Sequence, residues 1–374
     1  MKSSSTFRFI ARGARAAQKV RLPAIAAAGA LAMAGIGVAA IPASAASVAP
    51  VARLSVIAAV GPDHSLDFYY QAIGTQPWYP EQVAGIGTTY SSPAVEQIGN
   101  LSMIADEGPN HSLVVHWQTI GATIWQTQQV AGASTTYSAP SMARVGNLIV
   151  IVATGPNGSL DSYWEINGTT LWHNLPVAGA GTTYSAPSVA AAGTSTLIVA
   201  EGSGQSLDSY WRTASEVAWQ AQQVAGAGTT AEAPSVAQVG DSSVIAATGP
   251  AGVLDFYYQP LGTTSWHAQQ VGGVGTADSA PSIAQVGDSS VIAVRGPLPW
   301  SLDFFYQAIG TKPWHGEQVA GEQTTYSVPS VAQVGNSSVI AAEGYNQTLD
   351  FYYQPIGTRP WHEQQVAADG TTTG

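Results

Sequence analysis

The sequence predicts an all-β fold made of seven copies of one four-stranded antiparallel unit, and three observations carry that expectation. The first is a repeat. The phrase Ser65-Leu-Asp-Phe-Tyr-Tyr-Gln71 recurs with its leucine at Leu66, Leu113, Leu160, Leu207, Leu254, Leu302 and Leu349, in steps of 47 residues and one of 48. Self-similarity at this period marks a stacked array in which no unit buries its own apolar face. The second is composition: only 9% of residues are charged, and Gly, Ser, Thr and β-branched residues are plentiful, a balance that suits tight strand packing. The third is that no repeat sustains a 3.6-residue apolar period, so no helix is expected in it.

Each element of the unit is set by its punctuation. In the fifth copy Pro234–Val239 is a short alternating run, Gly240-Asp241 a turn, and Ser243–Thr248 a second run ended by Gly249-Pro250-Ala-Gly252. Leu254–Gln259 is a third strand, Gly262-Thr263 a turn, and Trp266–Val271 a fourth, before a Gly-rich exit. Four short strands per unit and seven units match the blades of a β-propeller, where radial stacking removes long open edges. A linear solenoid would need polar caps at both ends. Here the seventh unit looks like its siblings, and Ser47-Val-Ala enters at the phase where Pro-Ser-Val-Ala begins elsewhere, so the two ends meet at a repeat boundary. A seven-bladed ring is therefore expected.

Ahead of the repeats, six basic residues (Lys2, Arg8, Arg12, Arg15, Lys19, Arg21) precede an apolar run from Ala24 to Ile41 and the small residues Ala43, Ser44 and Ala45. That order reads as a secretory signal cut after about Ala45, giving a leader over 1–45 and a single propeller over 46–374. A secreted or extracellular location follows, with no membrane insertion after cleavage. The remaining six basic residues face 23 acidic ones, a net charge of -17. Such a surface repels phosphate backbones and anionic headgroups, which argues against nucleic-acid binding and membrane docking. Without cysteine there is no disulfide framework, so stability must come from one sizeable core.

Repeated positions read as scaffold. One tryptophan per unit (Trp78, Trp125, Trp172, Trp219, Trp266, Trp314, Trp361) is most simply packing between blades. The third-strand aspartate recurs as Asp67, Asp161, Asp208, Asp255, Asp303 and Asp350, broken by Val114, and reads as an acceptor for hydroxyl or backbone donors. No unit offers a distinctive second acid for glycoside cleavage, no G-x-S-x-G elbow comes with triad partners, and His173, His267, His315 and His362 fall in different units. The expectation is a chain with no catalytic residues, no metal and no cofactor.

Variation between repeats points to a binding face. The loops between strands two and three and the connectors between blades open on one face of a propeller, and they vary here, while the turns Val-Gly-Asp/Asn and Ile/Leu-Gly-Thr on the other face are monotonous. The variable set offers Tyr90, Tyr137, Tyr184 and Tyr326 from the connectors and His64, His111, Asn157, Gln205 and Asn346 from the loops. Neutral aromatic and amide groups of this kind stack on a sugar's C–H face and bond its hydroxyls.

The linked pattern Trp-x-x-x-x-Val-Ala-Gly, Ser-x-Pro-Ser-Val-Ala and Ser-Leu-x-x-x-(Tyr/Trp), seen at Trp172–Gly179, Ser185–Ala190 and Ser159–Trp164, resembles the repeat of seven-bladed propeller lectins of the bacterial PLL type, relatives of the fucose-binding propellers. The resemblance spans all seven units. It implies metal-free binding of glycans at shallow sites between blades, several of them acting together. The chain departs from that repeat where Glu81, Gln128, Gln222, Gln269, Glu317 and Gln364 stand at or beside a usual second tryptophan. The leading expectation is an exported, non-enzymatic, multivalent binder of neutral glycans. The alternative is a propeller for protein interaction or envelope structure without sugar specificity.

Overall fold

The computed structural model describes residues 47–372 apart from 52, 53, 74 and 123, and for 47–51 the backbone only; the expected leader at 1–45 lies outside the described residues. The described chain forms seven four-stranded antiparallel sheets, each from four consecutive strands, over 47–84, 94–131, 141–178, 188–225, 235–272, 282–320 and 330–367. We number these blades 1 to 7. In blade 5 the strands are Ser235–Val239, Ser242–Thr248, Leu254–Pro260 and His267–Gly272, within a residue or so of the expected bounds.

The first strand of each blade lies innermost, against the first strands of both neighbours. That of blade 7 (Ser330–Val334) lies against that of blade 1 (Ser47–Val51), so the ring closes with no strand exchanged across the seam. Side chains join the seam instead. The Trp78 indole N–H donates to Gln364 Oε1 at 3.2 Å, and the Trp78 ring meets Phe351 edge-on at 5.0 Å.

Alternation along the third strand explains how blades pack. Leu254 and Phe256 face blade 6 and its Ile283 and Ile292, whereas Tyr257 faces blade 4 and its Leu197, Val199 and Leu207. Second strands are sandwiched on both faces and are buried almost throughout, so they read as continuous apolar runs. Fourth strands form the exposed rim. Near the axis, Ser141, Ser188, Ser235 and Ser282 each accept a backbone N–H from the next blade at 3.0–3.1 Å. At the other end of the first strand, Gln238 Oε1 accepts the Gly193 N–H of the preceding blade while its amide donates to its own turn at Gly240 O.

Each connector folds back onto the loop between strands two and three of its own blade. The Gly87 N–H donates to Asp63 O at 2.9 Å, and the same bond recurs as Gly181 to Asn157 and Gly370 to Asn346. These segments therefore share one face, as expected. Five of the loops carry a single 3-10 turn, where no helix of any kind was expected. A left-handed residue (Asp63, Asn110, Asn157, Ala251 or Asn346, φ 57–60°) sits inside each turn and presents the carbonyl that the connector's N–H needs.

Candidate functional site: a groove between blades 4 and 5

On the connector face the structure brings some expected residues together and leaves others apart. His64 stacks on Tyr90 at 4.7 Å, and His111 on Tyr137 at 4.4 Å. His111 Nδ1 also lies 2.6 Å from Glu107 Oε1. Tyr90, Tyr137 and Tyr184 are exposed at 47, 44 and 58%. Asn157 and Asn346 hold the left-handed position that Asn tolerates well, a backbone reason for that residue type, and the Asn346 amide donates to Asp369 Oδ2 at 3.4 Å. Gln205 is left-handed too, beside the Ala231 connector that carries no tyrosine. Tyr326 meets two rings that the sequence reading did not single out, Trp300 at 5.2 Å and Tyr345 at 5.9 Å. Trp300 sits in the one loop lengthened by a residue; it donates to Asp278 Oδ2 at 3.0 Å and lies under the Arg295 guanidinium. These nine candidates ring the face and do not converge on one pocket.

On the opposite face, between the turns, the repeated tryptophan walls each of the seven blade interfaces. In four of them a phenylalanine of the preceding blade fills the space. Phe68 meets Trp125, Phe256 meets Trp314, Phe304 meets Trp361 and Phe351 meets Trp78, every pair edge-on at 5.0 Å. Val115, Ser162 and Ser209 hold that third-strand position in blades 2, 3 and 4. A second position then separates these three grooves: the residue five places beyond the leucine of the following blade is Glu165, Arg212 or Gln259. Glu165 is buried, and burial raises its carboxyl while the Thr170 backbone N–H works the other way. Arg212 is buried over Trp219.

Only the groove with Ser209 and Gln259 combines a small residue with a short neutral one, and a cavity of about 250 Å³ opens there. Its apolar walls are Trp211, Trp266, Leu197 and Leu261; Ser195, Ser209, Gln222, Ser243, Gln259, Thr263 and Thr264 supply hydroxyls and amides, and no lining residue is charged. The Gln222 amide donates to Thr264 O at 3.1 Å and ties the two blades across the floor. The equivalent space between blades 1 and 2, with Phe68 and Tyr70 in it, shrinks to about 30 Å³. Past Trp266 the surface continues into a shallow depression lined by Tyr258, His267, Gln269, Gln270 and Lys312. None of the nine connector-face candidates borders the cavity. The signal for it was present in the sequence as the loss of Phe from the repeated phrase.

The repeated aspartates serve the scaffold. Ser65, Ser159, Ser206 and Ser301 hydroxyls donate to Asp67, Asp161, Asp208 and Asp303 at 2.9–3.1 Å, and burial raises each carboxyl against that bond. Among the described residues no group of three or more His, Cys, Asp or Glu is placed to hold a metal ion.

No protein-family model and no curated protein matches the chain. Solved structures do. The BP39L lectin from Burkholderia pseudomallei superposes with a TM-score of 0.76 at 16% identity, over 87% of this chain and 100% of that one. The chain has the fold of a bacterial propeller lectin. A variant of the Aleuria aurantia lectin in complex with Fucα1-6GlcNAc matches at a TM-score of 0.51 and 14% identity, over 77% of this chain and 98% of that one. Prolyl endopeptidase matches at 0.55 and 12%, over 86% of this chain but 50% of its own, so the propeller architecture also occurs within enzymes.

Proposed function

We propose that this chain is an exported, non-enzymatic, metal-independent carbohydrate-binding propeller, and that its working site is the groove between blades 4 and 5. One observation carries the reading: the cavity beside Trp266 and Trp211 pairs two aromatic walls with hydroxyl and amide groups and carries no charge. A pyranose has an apolar C–H face and a rim of hydroxyls, so a tryptophan wall opposite Ser, Thr and Gln matches both halves of it without the desolvation of a charge. Lectin neighbours with the same fold support the class of ligand. The volume suits one sugar ring, and a millimolar site is worth about 4 kcal/mol. Four phenylalanine-filled grooves make the seven interfaces unequal, so avidity would arise from several chains on one surface rather than from seven sites on one ring.

Titration of residues 46–374 with neutral methyl glycosides, followed by tryptophan fluorescence, tests this. Saturable binding that Trp266→Ala removes and a chelator leaves unchanged is expected. Binding retained in Trp266→Ala would move the site elsewhere.

The exposed tyrosines at 90, 137, 184 and 345 favour a second reading, a protein-docking connector face. It predicts a partner whose capture fails when Tyr137 and Tyr184 are both replaced by Ser, with sugar binding intact.

A further inference from the structure

The groove between blades 3 and 4 has the walls of its open neighbour. Trp164 and Trp219 stand one repeat before Trp211 and Trp266, and Ser162 stands where Ser209 does, so no phenylalanine fills it. A side chain of the protein occupies it instead. Arg212, one repeat before Gln259, is 8% exposed, with its guanidinium carbon 5.4 Å from the Trp219 ring centroid. One guanidinium nitrogen donates to Glu216 O at 2.9 Å. The turn is held ready for this, because Glu216 Oε2 accepts the Thr213 N–H at 2.6 Å and the Thr213 hydroxyl at 2.9 Å.

The fit is incomplete. Arg212 Nε is buried and makes no hydrogen bond to the protein, an expense for any packing role. Blades 1, 2, 5, 6 and 7 carry glutamine at this position, as Gln71, Gln118, Gln259, Gln307 and Gln354, so the scaffold does not require a cation there. A planar guanidinium over an indole face covers the surface on which a sugar ring would stack.

We propose that Arg212 is a built-in occupant of a second sugar-accepting groove, and that the residue at this third-strand position decides which of the phenylalanine-free grooves takes a ligand. The inference rests on the reading of the blade 4–5 groove as a sugar site. With Gln259 the groove is open, and with Arg212 its tryptophan face is covered from within. Leu175 replaces Gln222 in the closed groove, so once opened it prefers a less polar sugar edge.

The test uses residues 46–374 labelled with 5-fluorotryptophan, as wild type, Arg212→Gln and Arg212→Ala. Fluorine resonances of Trp219 and Trp266 are assigned with Trp219→Phe and Trp266→Phe. A soluble gadolinium chelate reports exposure, and a mixture of the methyl glycosides of glucose, galactose, mannose and fucose reports binding. In wild type, only Trp266 is expected to shift with sugar, while Trp219 stays protected from gadolinium. In both variants Trp219 should relax several-fold faster and join Trp266 in the sugar-dependent shift. Trp219 equally protected in wild type and variants would overturn the proposal. So would a wild-type Trp219 that shifts with sugar and stops doing so in Arg212→Gln, since Arg212 would then be a ligand contact. A Trp219 that opens in both variants and ignores every sugar would overturn it as well. A silent wild-type Trp266 would count against the blade 4–5 reading alone, and the Trp219 measurements would still decide the role of Arg212.

Discussion

Ser209 occupies the strand position that Phe68, Phe256, Phe304 and Phe351 hold in other blades, and the missing ring leaves Trp266 with an open face. Restoring it by Ser209→Phe should fill existing space at little cost, with a melting temperature equal to or above wild type by calorimetry. Blade 2 shows a different exchange. Its aspartate is transposed across the sheet: Asp106 faces Val114 in register, and His116 replaces the repeated tyrosine with Nε2 3.1 Å from Asp106 Oδ1. The Thr89 hydroxyl donates to Asp106, whereas the equivalent Thr136, Thr183 and Thr230 hydroxyls are buried without a protein partner. Removing Asp106 strands the buried His116 ring and the Thr89 hydroxyl, at about 1–3 kcal/mol for a buried polar group left unpaired. Asp106→Ala should therefore destabilise by that order in urea unfolding, and adding His116→Tyr, which recreates the residues of the other blades, should recover most of it.

At the scale of the strand and the blade, Gly and Pro punctuation made every strand legible, because the turns between strands have few chemical solutions. The 3-10 turns were not legible. They arise from carbonyls aimed at a connector some 20 residues further on, and a local reading contains no such partner. The groove was half legible: loss of Phe at Ser162 and Ser209 was visible, but its meaning depends on which tryptophan in the next repeat faces it. Divergence between repeats points to the connector face, and the cavity lies on the other face, among the monotonous turns. Glycine before the loop has a plain cause in blades 1, 3, 4, 6 and 7, since a methyl group at Gly61, Gly155, Gly202, Gly296 or Gly344 would overlap the repeated aspartate's carboxylate. Phe351 is fully buried at the seam between blades 7 and 1, so Phe351→Ala should cost about 3–5 kcal/mol in chemical denaturation.

For the whole molecule, burial raises many carboxyls at once: Asp67, Asp161, Asp208, Asp255 and Asp303, with Asp350 pushed up to about 6. Between the ordinary aspartate value of about 3.9 and the folded value, the native chain holds protons that the unfolded chain has released. Stability from these groups is full below that window and is lost as pH rises through it. The melting temperature should therefore rise as pH falls from about 6 towards about 4, opposite to acid-labile proteins, and a thermal scan across pH checks this. Relief of charge repulsion within residues 46–374, net charge -17, acts in the same direction. The central claim is a neutral sugar held between blades 4 and 5. The most direct measurement is a glycan array probed in parallel with labelled wild type and Ser209→Phe, residues 46–374, with and without chelator. Selective, chelator-insensitive signal on a few neutral glycans that vanishes in Ser209→Phe is the expected result. A blank array from a well-folded sample, or equal signal from both proteins, would contradict it.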